Sequence, residues 1–268
     1  MEYITLHNGI QMPAVGYGTW DLRGKECVDC VAKAIHTGYR LIDTAVMYGN
    51  EKEVGEGVRK SGIDREDIFL TTKLDHRYAS YEKAKTGIDA CLKTLQTDYI
   101  DLLLVHEPYA EYISMYRALE EAYTQGKLKA IGVSNINRRL YDNLLSVCKV
   151  VPMVNQVESH VYYPQLSFRK YLQEKGTIME SWAPFTEGRR RIFQEPVLEE
   201  TARKHQKTVG QIALKYLSQN GIIVIPKTAK EERMKENISL FDFSLDETDM
   251  HRIAKLDGGK SLFGWYEP

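Results

Sequence analysis

Long hydrophobic runs are missing from this sequence of 268 residues. No run approaches the roughly 18 apolar residues that a membrane-spanning helix needs, and the opening stretch MEYITLHNGIQMP lacks the basic-then-apolar pattern of a secretory signal. An excess of charge of one sign is also missing. The net charge is -1, so no overall field favours nucleic acid or an anionic membrane. We therefore expect a cytoplasmic protein that binds neither membranes nor nucleic acids.

Cysteine is scarce, with four residues in the chain. Cys27 and Cys30 have the spacing of a redox or zinc pair, but no second pair completes a tetrahedral site. The surrounding stretch GKECVDCVAKAIHTG has the pattern of an amphipathic helix, which favours a structural role for both thiols. Free thiols suit a reducing compartment, and we predict no metal site.

The stretch GYGTWDLRGKE (16–26) lacks the third glycine of G-x-G-x-x-G. That motif after a first strand is typical of a doubly wound dinucleotide-binding sheet. The chain instead has eight short apolar runs that alternate with longer amphipathic stretches. These runs are 14–18, 39–44, 68–73, 100–106, 129–135, 152–157, 177–184 and 222–227. Eight strand–helix units predict an α/β fold of the (β/α)8 TIM barrel type.

Two further segments flank the eight units. Residues 3–13 predict a β-hairpin with Asn8-Gly9 as its turn, which we expect to close the bottom of the barrel. Residues 244–256 predict an extra C-terminal helix, with Ser244 and Glu247 in capping-box spacing. Since no linker or repeat interrupts the chain, residues 1–268 are predicted to form a single domain.

Polar residues stand at the carboxyl ends of most predicted strands, where barrels of this kind carry their active sites. Each residue alone could be a loop residue without a function. A carboxylate, an ammonium, an imidazole and a phenol at one barrel mouth are a less accidental combination. The residues are Asp43, Lys73, His106, Ser134, Asn135, Gln156, Trp182 and Lys227, with Tyr48 on the turn after Asp43.

Four of these residues together suggest proton donation to a carbonyl oxygen. Asp43 can neutralise a buried Lys73. The ammonium of Lys73 is expected to lower the pKa of Tyr48 from its usual value of about 10. His106 can hydrogen-bond the oxygen that Tyr48 protonates and so fix its position.

The attacking group is expected to come from a cofactor, because the sequence has neither a nucleophile motif nor clustered metal ligands. Hydride transfer fits such a site. Ser134, Asn135 and Gln156 can bind a carboxamide through donors and acceptors, and Trp182 offers a flat face for a nicotinamide ring. The segment IPKTAKEERMKEN (225–237) is either a phosphate site or a solvated charged helix.

Several stretches occur in an order that is typical of one family. They are MPAVGYGTW (12–20), GYRLIDTAVMYGNE (38–51), TTKL (71–74), DYIDLLLVHEP (98–108), IGVSN (131–135), NQVE (155–158), SWAPF (181–185) and IPKTAKEERMKEN (225–237). With them the sequence resembles an aldo-keto reductase over almost its full length. The resemblance implies a (β/α)8 barrel, usually monomeric, that reduces small aldehydes and ketones with NADPH and without metal or flavin.

The resemblance also implies roles for individual residues. Tyr48 would be the general acid, tuned by Lys73 and Asp43, and His106 would orient the carbonyl. The cofactor would be held at its carboxamide by Ser134, Asn135 and Gln156, at its ring by Trp182, at its 2′-phosphate by Lys227, Thr228 and Arg233, and at its adenine by Glu236 and Asn237. Thr19 and Trp20 match the cofactor and substrate side of the first loop.

Three features depart from the family pattern or are specific to this chain. Glu107 either lines the substrate pocket, where it would disfavour anions and raise the pKa of His106, or faces solvent. Residues Arg189–Arg191 either clamp the pyrophosphate or form a solvated loop. The short tail, with Phe263 and Trp265, either walls the pocket or packs on the barrel rim.

Two other classes of function compete with carbonyl reduction. One is a non-catalytic barrel that binds NADPH and senses redox state, which the intact proton-donor set disfavours. The other is a metal-dependent hydrolase, which would need clustered ligands at strand ends, where His106 stands alone.

Overall fold

The computed structural model describes residues 2–264, so the prediction for Trp265 lies outside the described residues. Ten strands are present in this range. They are β1 (Tyr3–Thr5), β2 (Gln11–Pro13), β3 (Gly16–Gly18), β4 (Leu41–Asp43), β5 (Phe69–Leu74), β6 (Ile100–Val105), β7 (Leu128–Ser134), β8 (Val154–Glu158), β9 (Ile178–Trp182) and β10 (Ile223–Val224). Strands β3 to β10 form one parallel sheet in sequence order, which confirms the predicted (β/α)8 barrel.

Ten α-helices in the same range surround or flank this sheet. They are α1 (Gly24–Thr37), α2 (Glu51–Lys60), α3 (Tyr81–Leu95), α4 (Tyr112–Thr124), α5 (Arg138–Leu145), α6 (Leu166–Glu174), α7 (Pro196–His205), α8 (Val209–Gln219), α9 (Glu231–Ile238) and α10 (Glu247–Ala254). None of them is long and apolar enough to span a membrane.

The barrel closes between its first and last parallel strands. Val15 forms a parallel bridge with Val224, and the amide of Gly18 donates to the carbonyl of Pro226 at 3.2 Å. A Cβ on Gly18 would lie 2.8 Å from the carbonyl oxygen of Ile225. The paired glycines of GYG therefore serve barrel closure, since only a residue without a side chain fits at this close approach.

The N-terminal hairpin closes the amino end of the barrel, as predicted. Strands β1 and β2 pair with Tyr3 opposite Pro13, and Gly9 in the turn has a φ of +89°. Asn8 donates to the carbonyl of Lys129 at 3.0 Å, just inside β7. Leu6 and Met12 are buried in a cluster that includes interior residues of β4 to β8.

The barrel interior is apolar at its amino end and polar at its carboxyl end. Successive side chains of a strand point to opposite faces, so residues two apart share a face. Leu41 belongs to the apolar interior cluster, and Asp43 follows it on that face; Val154 and Gln156 are related in the same way on β8. A second and larger apolar cluster joins the outer face of the sheet to the helices.

Three local predictions differ from the structure. The capping box of the last helix uses Asp246 and Asp249, so the assignment to Ser244 and Glu247 was wrong. Strand β9 ends at Trp182 rather than Pro184, because Ala183 has a φ of +50° and turns the chain out of the sheet. The final strand, β10, is limited to Ile223–Val224.

Candidate active site

A cavity of about 610 Å³ opens at the carboxyl end of the barrel. Nine of the residues predicted from sequence border it: Trp20, Asp43, Tyr48, His106, Ser134, Asn135, Gln156, Trp182 and Lys227. They come from β4, β7, β8 and β9 and from the segments that follow β3, β4, β6, β7 and β10. The parallel sheet brings them together because all of its strands end at the same mouth.

Lys73 lies at the centre of the predicted catalytic group. Its Nζ donates to Oδ1 of Asp43 at 2.6 Å and to the carbonyl of Thr44 at 2.9 Å. The same nitrogen lies 3.3 Å from the hydroxyl of Tyr48. Lys73 and Asp43 are almost fully buried, so each charge depends on the other for compensation.

Burial changes the proton affinities in this group. It lowers the pKa of Lys73, but Asp43 and Tyr48 more than offset this effect, so the pKa lies above the usual value. Burial raises the pKa of Asp43, which Lys73 opposes. Burial also raises the pKa of Tyr48, and the attraction of Lys73 only reduces the rise. The expectation of a phenol pKa below its usual value was wrong, and the Tyr48 hydroxyl is protonated at neutral pH.

The loop after β4 fixes the position of Tyr48. A 3₁₀ turn spans Val46–Tyr48 and ends at Gly49, which adopts a φ of +66°. The buried Asn50 then holds the loop, since it accepts from the Thr44 hydroxyl at 2.7 Å and donates to the carbonyl of Thr19 at 2.9 Å. The turn directs the phenol toward the strand that carries its ammonium neighbour.

His106 faces Tyr48 across the cavity, with ring centroids 5.8 Å apart. Burial, with a smaller contribution from Lys73, holds the pKa of His106 well below its usual value. The imidazole is therefore neutral, and the direction of the shift is opposite to the one expected if Glu107 lined the pocket and raised the pKa of His106. Nδ1 of His106 is buried and has no hydrogen-bond partner among residues 2–264. A neutral imidazole can donate one hydrogen bond into the cavity.

The residues predicted to bind the carboxamide and ring of the nicotinamide lie at the ends of β7, β8 and β9. The hydroxyl of Ser134 donates to the carbonyl of Gln156 at 2.9 Å. Asn135 has a φ of +56°, and its Oδ1 accepts from Nε1 of Trp182 at 2.8 Å. This bond fixes the Trp182 ring, and Phe263 packs on its edge with centroids 4.9 Å apart. Amide groups and an aromatic surface are thus adjacent at the cavity wall.

The predicted phosphate and adenine residues lie on the segment between β10 and α9 and within α9 itself. Lys227 borders the cavity and Arg233 is exposed on α9. Thr228 is buried and its Oγ1 accepts from the amide of Lys230 at 3.1 Å. Glu236 accepts from the hydroxyl of Thr208, and Asn237 is buried. Of these residues, Lys227 borders the cavity, and the others are not among the described residues that border it.

Three remaining residues occupy different environments. Thr19 is buried beside Asp43, whose carbonyl accepts from its hydroxyl at 2.9 Å. Trp20 is 45% exposed and packs on Tyr48 with ring centroids 4.9 Å apart, at the cavity entrance. Glu107 is half-buried and is not among the described residues that border the cavity.

The loop after β9 also borders the cavity through Arg189. Its guanidinium lies 4.3 Å from the centroid of the Phe263 ring and donates to the carbonyl of Leu262 at 3.3 Å. Arg190 instead lies over Tyr162 at 5.6 Å. The tail is held at this wall because the amide of Leu262 donates to the buried Glu158 at 2.7 Å.

The sequence analysis missed one buried acid in this group, Glu180. Its Oε2 accepts from Nε2 of Gln156 at 2.8 Å, and it is 0% exposed. The sequence does contain a signal for this residue, in the alternation of side chains between the two faces of a strand. Glu180 lies two residues before Trp182 in an apolar strand, so the two side chains share the interior face. A charged residue at such a position is unusual and indicates a polar network.

Comparisons with known proteins are consistent along the whole chain. A family model described as "Aldo/keto reductase family" matches residues 14–258. A protein named "Uncharacterized oxidoreductase YtbE" from Bacillus subtilis is 44% identical, covering 94% of this chain and 92% of that protein. The "Glyoxal reductase" of the same organism is 41% identical over 96% and 93% of the two chains. The "Methylglyoxal reductase DkgA" of Escherichia coli is 35% identical over 97% and 94%.

Solved structures match equally well. An aldo-keto reductase enzyme from a deep-sea metagenome library has a TM-score of 0.96 and 40% identity, covering 99% of this chain and 98% of that chain. An aldo-keto reductase complexed with NADPH has a TM-score of 0.91 and 34% identity, covering 97% and 89%.

Proposed function

Because this chain belongs to the aldo/keto reductase family, we propose that it reduces small aldehydes and ketones with NADPH and that Tyr48 donates the proton. The chain is an oxidoreductase of this family. To this family assignment the proposal adds the roles of individual residues, the preference for the phosphorylated cofactor and the class of substrate. The contact of the Tyr48 hydroxyl with Nζ of Lys73, 3.3 Å long at the cavity wall, supports it most directly.

The residues that border the cavity fit a nicotinamide cofactor. Asn135, Gln156 and Trp182 place amide groups beside an aromatic surface, which matches a carboxamide on a flat ring. The volume of about 610 Å³ is in the range of cofactor and ligand sites. When bound, the reduced cofactor supplies the hydride that the carbonyl carbon accepts.

The catalytic residues provide the proton and hold the oxygen that receives it. His106, as a neutral imidazole, donates a hydrogen bond that positions the carbonyl oxygen. Tyr48, whose raised pKa keeps it protonated, transfers its proton to that oxygen as negative charge develops there. Lys73 then stabilises the phenolate, and Asp43 keeps Lys73 charged in the buried site.

We propose small aldehydes and dicarbonyls as the substrates tested first. Two relatives carry the names glyoxal reductase and methylglyoxal reductase. The entrance of the cavity is bordered by Trp20 and Met47, both exposed, so a small or flat substrate has direct access to Tyr48.

Consumption of NADPH with glyoxal, methylglyoxal and an aromatic aldehyde tests the proposed function. We expect turnover with at least one of them, measured as loss of cofactor absorbance and as alcohol product. A protein that binds NADPH tightly but turns over none of a broad carbonyl panel would instead fit the non-catalytic redox sensor.

We further propose that residues 1–268 form one domain that works as a monomer. Support comes from the hairpin, which packs into the same barrel that the eight parallel strands complete. Sedimentation equilibrium should give the mass of one chain, 30.8 kDa, with and without NADPH.

A further inference from the structure

Gln156 uses both hydrogens of its side-chain amide within the barrel. Its Nε2 donates to Oδ2 of Asp43 at 2.8 Å and to Oε2 of Glu180 at 2.8 Å. All three side chains are at most 1% exposed. Because Asp43 is a carboxylate paired with Lys73 and can only accept, the amide nitrogen rather than the amide oxygen of Gln156 occupies the position beside it.

The number of unused N–H donors on Gln156 therefore decides which hydrogen bonds it can form with a ligand. A primary amide has two N–H donors and one carbonyl acceptor. With both hydrogens committed to Asp43 and Glu180, the carbonyl Oε1 is the group that Gln156 has left, and Gln156 borders the cavity. Asp43 alone would engage only one hydrogen and would leave the amide free to rotate, so that the second N–H could turn toward a ligand in the cavity.

We propose that Glu180 is a positioning residue that makes Gln156 an obligate hydrogen-bond acceptor, so that the cavity selects a ligand with an N–H donor at this point. The inference rests on the proposed function, because the donor in question would be the carboxamide nitrogen of the nicotinamide. Glu180 acts through Gln156, since it is not among the described residues that border the cavity.

The protonation state of Glu180 is compatible with this role. Burial, and then the nearby Asp43, raises the pKa of Glu180 to about 8, so at neutral pH the carboxyl is mostly protonated. Its Oε1 has no partner among residues 2–264 and can carry the proton, while Oε2 accepts from Gln156. A neutral Glu180 adds no second negative charge beside Asp43, whose own charge is compensated by Lys73.

Strand register explains why this pair is built into the fold. Gln156 on β8 lies directly opposite Glu180 on β9 in the parallel ladder, so the contact requires no loop and little conformational freedom. A positioning group on a regular strand holds its partner more exactly than a loop residue does.

A pair of ligands that differ in one donor tests the inference. NADP⁺ carries a carboxamide, and its acetylpyridine analogue carries a methyl ketone, which has an acceptor but no N–H. We expect the parent protein to bind NADP⁺ about tenfold more tightly than the analogue, because a fixed acceptor without a donor loses one hydrogen bond. The measurement is fluorescence titration of Trp182 and the other tryptophans at neutral pH, without turnover.

Three variants separate positioning from general structural damage. Glu180→Met is similar in length but cannot accept, so one N–H of Gln156 becomes available and the preference should shrink to about threefold or less. If Glu180→Met does not fold, Glu180→Asp replaces it as the test. Its shorter side chain withdraws the carboxyl from Gln156, so the preference for NADP⁺ should also shrink. Glu180→Gln retains an accepting oxygen and should restore the parental preference.

The outcomes are distinguishable. An unchanged preference in a folded Glu180→Met or Glu180→Asp variant, or a parental preference below about twofold, would overturn the role of Glu180 while leaving the proposed function intact. Failure of the parent protein to bind NADP⁺ at all would overturn the proposed function, and the inference with it.

Discussion

Nζ of Lys73 lies 3.3 Å from the hydroxyl of Tyr48 and 4.9 Å from the centroid of its ring. In the proposed reaction, the ammonium is thus placed to stabilise the phenolate that would form when Tyr48 gives up its proton. In the resting protein burial outweighs this attraction and keeps the phenol protonated. The same contact supports an acid that holds its proton until a carbonyl oxygen is there to take it.

Removal of the Tyr48 hydroxyl should therefore affect chemistry and not cofactor binding. In Tyr48→Phe we expect turnover to fall by about 10²–10⁴-fold, the usual contribution of a general acid, with the dissociation constant of NADPH unchanged. Steady-state kinetics and cofactor titration measure the two quantities. Tyr3→Phe, at an exposed position on β1, is the matched control and should keep parental rates. Near-parental turnover in Tyr48→Phe would remove it from the mechanism.

Arg233 provides a test of cofactor preference. We expect Arg233→Ala to weaken NADPH binding by about tenfold, since a charge-assisted hydrogen bond contributes roughly 1.5–3 kcal/mol, and to leave NADH binding unchanged. Titration with both cofactors gives the ratio. Arg117→Ala, on the exposed face of α4, controls for the loss of one positive charge. Equal weakening of NADPH and NADH would contradict a contact with the 2′-phosphate.

Glu180 should make stability depend on pH. Its pKa is about 8 in the folded protein and 4.5 as the ordinary value, so between these values the folded state holds a proton that the unfolded state releases. The free energy of unfolding then falls as pH rises, by up to about 1.4 kcal/mol per pH unit. The charged groups that act on Glu180 are Asp43, which raises its pKa, and Lys73, which lowers it.

Glu180→Gln removes this titration. Urea unfolding at about pH 5, 6.5 and 8 measures the free energy of unfolding of both proteins. The value for the variant, relative to the parent protein, should increase as pH increases. Glu56→Gln, at an exposed position on α2, is the control for the loss of one carboxylate. A difference between Glu180→Gln and the parent that stays constant with pH would show that Glu180 titrates normally.

Gly18 should be intolerant of a side chain. In Gly18→Ala the new Cβ would meet the carbonyl oxygen of Ile225 at 2.8 Å, and overpacking of this kind costs about 1–3 kcal/mol. Gly258→Ala is the matched control, since its nearest contact would be an ordinary 3.7 Å to Tyr162. Thermal unfolding of both variants measures the difference. Equal stability of the two would show that the closure can relax.

The alternation of apolar runs and amphipathic stretches was enough to predict the barrel, because each parallel strand is buried on both faces and each helix on one. Strand ends were enough to find Asp43, Lys73 and His106, since the topology itself gathers them. Glu180 escaped the analysis because it lies inside a strand rather than at its end. The direction of the Tyr48 pKa also could not be predicted, since desolvation depends on packing that the sequence does not display.

Other details depended on geometry that residue types leave open. Ser244 and Asp246 are both good N-cap residues, and only the backbone decides which of them begins the helix. From the sequence, the glycines at positions 16 and 18 served only to argue against a doubly wound dinucleotide-binding sheet, whereas in the structure their small size is needed for contacts with Leu41 and Ile225. The contact of each glycine with Ile225 joins residues about 200 positions apart, beyond any local pattern.

The hairpin at the amino end has a kinetic consequence. With Leu6 and Met12 filling that end, the cavity described here opens at the opposite end, and two ligands that share it must use one entrance. The molecule seated deeper has to arrive first and depart last.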